Sequence, residues 1–161
     1  MQRRPVFFVG AGILCLVCLL AACTKQNRAA DRAQRLDKLQ AAYDAVAAVE
    51  SATKAGVPYA DYAQRVPSAS TALMAYEPED DKAREVASHL AEAVYIYQTA
   101  MRAWATKFDE CEECAWRKFK AVHPQFAMEE AGADYAIPVL WNSAAAKMDA
   151  AREGLAAYKR R

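Results

Sequence analysis

From Glu79 to His123 the chain contains neither glycine nor proline, and that uninterrupted stretch limits the fold more than any other feature. Within it Val86, Leu90, Val94, Tyr97, Met101, Trp104 and Phe108 recur at intervals of three and four, the spacing that lines one face of an α-helix. Glu79, Asp80 and Asp81 stand near its start, where the free N–H groups of a helix favour negative charge. An unbroken helix over this span would be about 67 Å long at about 1.5 Å per residue. A compact domain of this size has a radius of gyration of only about 14 Å, so a break is expected. Thr106-Lys107-Phe108-Asp109 and Asp109-Glu110-Cys111-Glu112 each offer a capping box for a restart. The second helix should then run to Val122 and stop ahead of Pro124.

The flanking segments carry the same period. Between about Ala29 and Ala55 the apolar positions are Leu36, Leu39, Tyr43, Val46 and Val49 or Glu50. Gly56 and Pro58 end that helix. A second begins at Pro58 with Tyr59, Tyr62, Val66, Ala69, Leu73 and Tyr76 on one face. Its register crosses Pro67, which implies a kink or else two short helices sharing a face. Phe126 to Tyr135 is ambiguous, because Gly132 weakens a short helix there. Pro138 is expected to open the last helix, whose buried stripe is Trp141, Ala144 or Ala145, Met148, Ala151 or Arg152, Leu155 and Tyr158. No strand-like alternation and no long repeat occurs. The expectation is an all-α protein, an antiparallel bundle of about four main helices with short extra ones.

The amino terminus reads differently. Arg3 and Arg4 precede an apolar run from Val6 to Leu20, and Leu20-Ala21-Ala22-Cys23 follows at its exit. A basic head, a short apolar core and small residues at the end describe a secretory signal segment. The run is about 15 residues, and a membrane-spanning helix needs about 20. Leu20-Ala21-Ala22-Cys23 resembles the lipobox of bacterial lipoproteins. That resemblance implies removal of residues 1–22, a diacylglycerol on the Cys23 thiol, and membrane attachment through acyl chains alone. In that family Asp after the acylated cysteine marks inner-membrane retention. Thr24 is not Asp, so the resemblance implies the outer membrane, with the domain facing the periplasm. Residues 23–28 then form a short polar tether and residues 29–161 a single helical domain.

The chain holds 21 Lys and Arg against 20 Asp and Glu, so with or without Arg3 and Arg4 it is close to neutral. No charge excess recruits nucleic acid or an anionic bilayer. Cleavage would also sort the five cysteines. Cys15 and Cys18 leave with the signal and Cys23 is acylated, which leaves Cys111 and Cys114 as an even pair in an oxidising compartment.

Cys111 and Cys114 are the most pointed candidates for chemistry. On a helix this spacing brings the α-carbons to about 5 Å, within disulfide reach. A thiol–disulfide catalyst needs a stabilised thiolate, which Asp109, Glu110, Glu112 and Glu113 oppose. Covalent haem attachment needs His at position 115, which is Ala. A zinc site could use Cys111, Cys114 and His123 with Glu110 or Glu113, although no second His or Cys pair follows. The favoured reading is a small-loop disulfide, or a pair of half-buried thiols, at the helix restart.

Elsewhere the signals are structural. His89 sits one position before Leu90, is expected to have no acidic or cysteine companion and reads as a partly buried or surface histidine, and Ser68, Ser70 and Thr71 follow Pro67 as turn and cap residues. Glu129, Glu130 and Asp134 form one acidic group and Glu77, Glu79, Asp80 and Asp81 another, neither with calcium-loop spacing. The aromatic rings mostly fall on the buried faces opposite alanines, which suits large–small interlocking in a bundle core. No nucleophile–base pair and no phosphate-binding glycine loop can be named, so neither an enzyme nor a cofactor is expected. Two functions stay open. One is a lipid-anchored interaction or scaffolding module for a protein partner in the cell envelope, similar in size, lipidation and class to secretin pilotins, with no pilotin motif matched. The other is a periplasmic binding protein for a small ligand or metal, held in the bundle interior or near Cys111 and Cys114.

Overall fold

The computed structural model describes the backbone of residues 10–126 and 132–160, and side chains from residue 30 onward. Among the described residues there are five α-helices and no strand: α1 (Gly10–Ala55), α2 (Tyr59–Met74), α3 (Asp81–Ala105), α4 (Glu112–Val122) and α5 (Ala133–Lys159). The protein is all-α, as the periodicity requires. Contacts divide the chain into two units, Met1–Asp37 and Lys38–Arg161.

α1 runs without interruption from Gly10, so one helix carries the segments expected as signal, tether and first domain helix. No glycine or proline occurs between Gly12 and Gly56, and alanine, the best helix former, is frequent there. Among the described residues no helix is long and apolar enough to cross a membrane. The end of α1 is a Schellman turn. Gly56 takes φ +77°, its N–H donates to Thr53 O, and the Val57 N–H donates to Ala52 O.

α2 is one helix with Pro67 inside it, not two short ones. Pro58 is its N-cap and Tyr62, Val66 and Ala69 are buried. Asp80 caps α3, its carboxylate accepting from the Ala83 N–H at 2.8 Å. Val86, Leu90, Val94 and Tyr97 are buried as the seam predicts. The seam fails at Phe108, which is 65% exposed. α3 ends at Ala105, and Thr106–Phe108 form a 3-10 turn. With about three residues per turn instead of about 3.6, that turn rotates the following side chain off the buried face.

α5 begins at Ala133, five residues before the expected start, with Gly132 as its N-cap and Pro138 inside. Proline at that position removes a single bond, to a carbonyl of the first turn. α3 and α5 make the most extensive helix contact. Their antiparallel register is fixed by Lys107–Asp134, Trp104–Trp141, Lys147–Glu92 and the approach of Gly154 to Val86. α2 lies antiparallel on α3 through Tyr59–Phe108, Tyr62–Trp104 and the Gln98–Ser70 hydrogen bond. Leu39, Ala42, Val46 and Val49 bring the end of α1 into the same core.

Candidate functional site

The junction between α3 and α4 assembles the Cys111–Cys114 site. Thr106 Oγ1 donates to Ala103 O at 2.7 Å and closes the end of α3. Asp109 Oδ1 then accepts from the Cys111 N–H at 3.1 Å, a local turn that aims the chain into α4. Cys111 is the N-cap of α4, and its Sγ accepts from the Cys114 N–H at 3.3 Å. The cap therefore lies two residues beyond the Asp109 box read from the sequence, and a sulfur replaces the expected carboxylate.

Cys111 and Cys114 are joined, with α-carbons 5.2 Å apart. Both are exposed, so the favoured disulfide is present and the half-buried placement is not. Asp109, Glu110, Glu112 and Glu113 surround it on the surface, with Glu113 held by Arg117 at 3.0 Å. A bonded sulfur offers no thiolate to a metal. His123 is 8% exposed, and its ring packs 4.5 Å from that of Phe119. Burial, with Arg102 nearby, lowers the His123 pKa from its ordinary value. Among the described residues no three His, Cys, Asp or Glu side chains gather as a metal site, so Cys111, Cys114 and His123 are not brought together.

A ladder of rings leads from this junction into the core. Phe108 lies 4.9 Å from Tyr59, Tyr59 is 5.5 Å from Trp104, and Trp104 is 5.6 Å from Trp141. Tyr62 closes the ladder at 5.7 Å from both tryptophans. Its hydroxyl accepts from Trp141 Nε1 at 3.1 Å and donates to Tyr97 O at 2.9 Å. Burial raises its pKa far above the ordinary tyrosine value, which keeps the hydroxyl protonated as a donor.

A second polar group lies where α1 meets α5. Glu50, 5% exposed, receives Lys54 Nζ at 2.6 Å and Arg152 Nη2 at 3.2 Å. Arg152 Nε donates to Tyr43 Oη at 3.0 Å, and Arg152 also pairs with Asp149. Those hydrogen bonds raise the Arg152 pKa further. Tyr97 Oη, in a residue 1% exposed, has no hydrogen-bond partner among the described residues. Burial, and then the charge of Glu50, raises the Tyr97 pKa. The sequence left Val49 and Glu50 as alternatives for the buried face, and both are buried.

The remaining candidates are placed as follows. His89 does have acidic neighbours: Glu85 and Glu92 lie one turn either side on the same helix face and feel its charge. Those carboxylates are held mainly by Lys82 and Lys147, which lower their pKa values. Ser68 and Thr71 hydroxyls donate back to Gln64 O and Pro67 O within α2. Asp134 pairs with Lys107, while Glu129 and Glu130 lie outside the described residues. The side chain of Cys23 also lies outside them. An open groove of about 420 Å³ runs along the outer face of α3, lined by Ser88, Ala91, Glu92, Tyr95 and Ile96. It is not the enclosed tyrosine-lined cavity that a ligand-binding bundle would need.

Comparison with known proteins adds no relative: no family model, no curated protein and no solved structure matches this chain.

Proposed function

We propose that this protein is a lipid-anchored helical module of the bacterial cell envelope, working through protein contacts and not through catalysis. Leu20-Ala21-Ala22-Cys23 behind a short apolar run is the observation that carries the reading. On it, the mature chain starts at Cys23 and holds to the membrane by acyl chains, since stable anchoring takes more than one. Thr24 directs it to the outer membrane, with residues 29–161 in the periplasm. The large apolar side chains Met74, Phe108, Val122 and Tyr135 stand exposed and are available to a partner.

Mass spectrometry of the protein isolated from membranes tests the anchor. The expected species begins at Cys23 with a diacylglycerol thioether, and Cys23→Ser abolishes it. An intact Met1 terminus or an unmodified Cys23 sulfur would end the proposal. Affinity purification of the acylated protein then tests the role. A stoichiometric envelope complex is expected; a lone protein carrying a metal or small molecule would turn the reading to a periplasmic binding protein.

A further inference from the structure

We propose that Cys111–Cys114 is a thiol–disulfide exchange site, reduced by a dithiol protein that presents a basic face. The inference stands apart from the lipid anchor and uses only the body of the chain. Its first support is access. Both cysteines are exposed at the mouth of α4, so an incoming thiolate needs no unfolding to reach a sulfur.

The second support is direction. Cys111 Sγ accepts the Cys114 N–H at the start of an 11-residue helix, where the free N–H groups favour negative charge. Cys111 is therefore the better leaving group and Cys114 the sulfur attacked. The partner thiolate forms a bond to Cys114 Sγ, and the Cys111–Cys114 bond breaks with its electron pair on Cys111 Sγ, which takes up a proton. The partner's second thiol then attacks the mixed disulfide and releases Cys114, which is protonated in turn. The pair gains two electrons and two protons, and the partner leaves as a disulfide.

The third support is charge. Asp109, Glu110, Glu112 and Glu113 flank the pair in sequence and all four are exposed, Glu113 pairing with Arg117 and the other three outnumbering that one cation. They disfavour thiolates in the reduced pair, which then rests as two thiols and is a poor attacking nucleophile, so the pair is not a catalyst. They also repel an anionic thiol and attract a cationic one.

The test uses the full chain, purified in detergent in native buffer, and three monothiol probes. Reduction rates are measured with cysteamine (cationic), 2-mercaptoethanol (neutral) and mercaptoethanesulfonate (anionic). Each rate is divided by that thiol's rate with a neutral small-molecule disulfide. At low salt the cationic probe should lead the anionic one by about tenfold, and the gap should close at about 1 M salt. Glu110→Gln with Glu112→Gln, both surface changes, should narrow the gap. Rapid quenching with an alkylating agent should place the mixed disulfide on Cys114 and the alkyl group on Cys111. Resistance to all three probes without denaturant, equal normalised rates, or trapping mainly on Cys111 would overturn the proposal.

Discussion

The α3–α5 seam and the α4 segment are held together by different means. Along the seam, order comes from contacts between residues far apart in sequence: Val86 with Gly154, Glu92 with Lys147, Trp104 with Trp141. Around α4 most restraints are local: the Asp109 turn, the Cys111 cap, the four-residue disulfide ring and the Glu113–Arg117 pair. Phe119 and Phe126, buried on this segment, are its main apolar hold. A change on the seam should therefore be felt by the whole bundle, and a change at α4 by α4.

The largest effect should come from emptying the seam. Met148 is fully buried on α5, and Met148→Ala should cost about 3 kcal/mol of unfolding free energy. Val122, exposed at the end of α4, should change stability by less than about 0.5 kcal/mol when replaced by Ala. Urea denaturation of the two variants breaks the comparison if their midpoints shift equally.

Overfilling the seam should come next. A Cβ at Gly154 would lie 2.9 Å from Val86 Cγ2, a stiff and buried side chain. Helix propensity alone would make Gly154→Ala stabilising by about 1 kcal/mol. The clash should reverse that sign and cost about 1–3 kcal/mol. Combining it with Val86→Ala should recover part of the loss, and a double-mutant cycle measures the coupling. Additive losses would show that this close approach is not what the glycine is for.

Replacing Cys111 and Cys114 together by Ser should cost about 2 kcal/mol or less, because a ring this short constrains the unfolded chain little. The discriminating readout is hydrogen exchange. Amides of α4 should lose protection while those of α3 and α5 keep theirs. Equal loss in both regions would show that the disulfide secures the bundle and not only its own helix.

The same division explains what could be read from the residues. Burial of Val86, Leu90, Val94 and Tyr97 followed from spacing, because one helix face either meets the core or does not. The break before α4 followed from length. The cap at Cys111 did not, since a weak sulfur acceptor is not among the usual capping groups. Phe108 was misplaced because the seam was extended beyond the last α-helical turn. Pro138 does not open α5 as expected, because a proline is at home in the first turn of a helix but this one lies one turn further in, where α5 continues without the bond its N–H would make. The Glu50–Arg152 pair joins residues 102 apart, and no local pattern specifies such a meeting. The acidic neighbours of His89 are legible in the sequence, since Glu85 and Glu92 stand at helical spacing on either side of it.

Beside the seam, Tyr62 of α2 and Tyr97 of α3 separate a satisfied hydroxyl from an orphaned one. Tyr62→Phe removes a donor to Tyr97 O and an acceptor for Trp141 Nε1, and should cost about 1–2 kcal/mol. Tyr97→Phe deletes a buried hydroxyl with no partner among the described residues and should be neutral or slightly stabilising. Equal losses would mean that Tyr97 Oη is hydrogen-bonded in solution, most simply to a buried water.

The smallest expected effect is the pH dependence of the α4 region. His123 is covered by Phe119 and lies near Arg102, and both burial and that charge disfavour its cation. Its folded pKa is below the ordinary value of 6.5, so near and below that pH the unfolded chain binds more protons. The stability it contributes is complete above the unfolded value and is lost as pH falls through the folded one. Glu85 and Glu92, lowered from 4.5 by their lysines, act only at more acid pH, so the two windows separate. Urea midpoints taken from about pH 8 down to pH 5.5 should decline in the parent protein and stay flatter in His123→Gln. Hydrogen exchange over the same range should place the loss in α4 before the seam. A decline shared by both proteins, or one that opens α3 and α5 first, would mean that acid acts through the bundle and not through this ring.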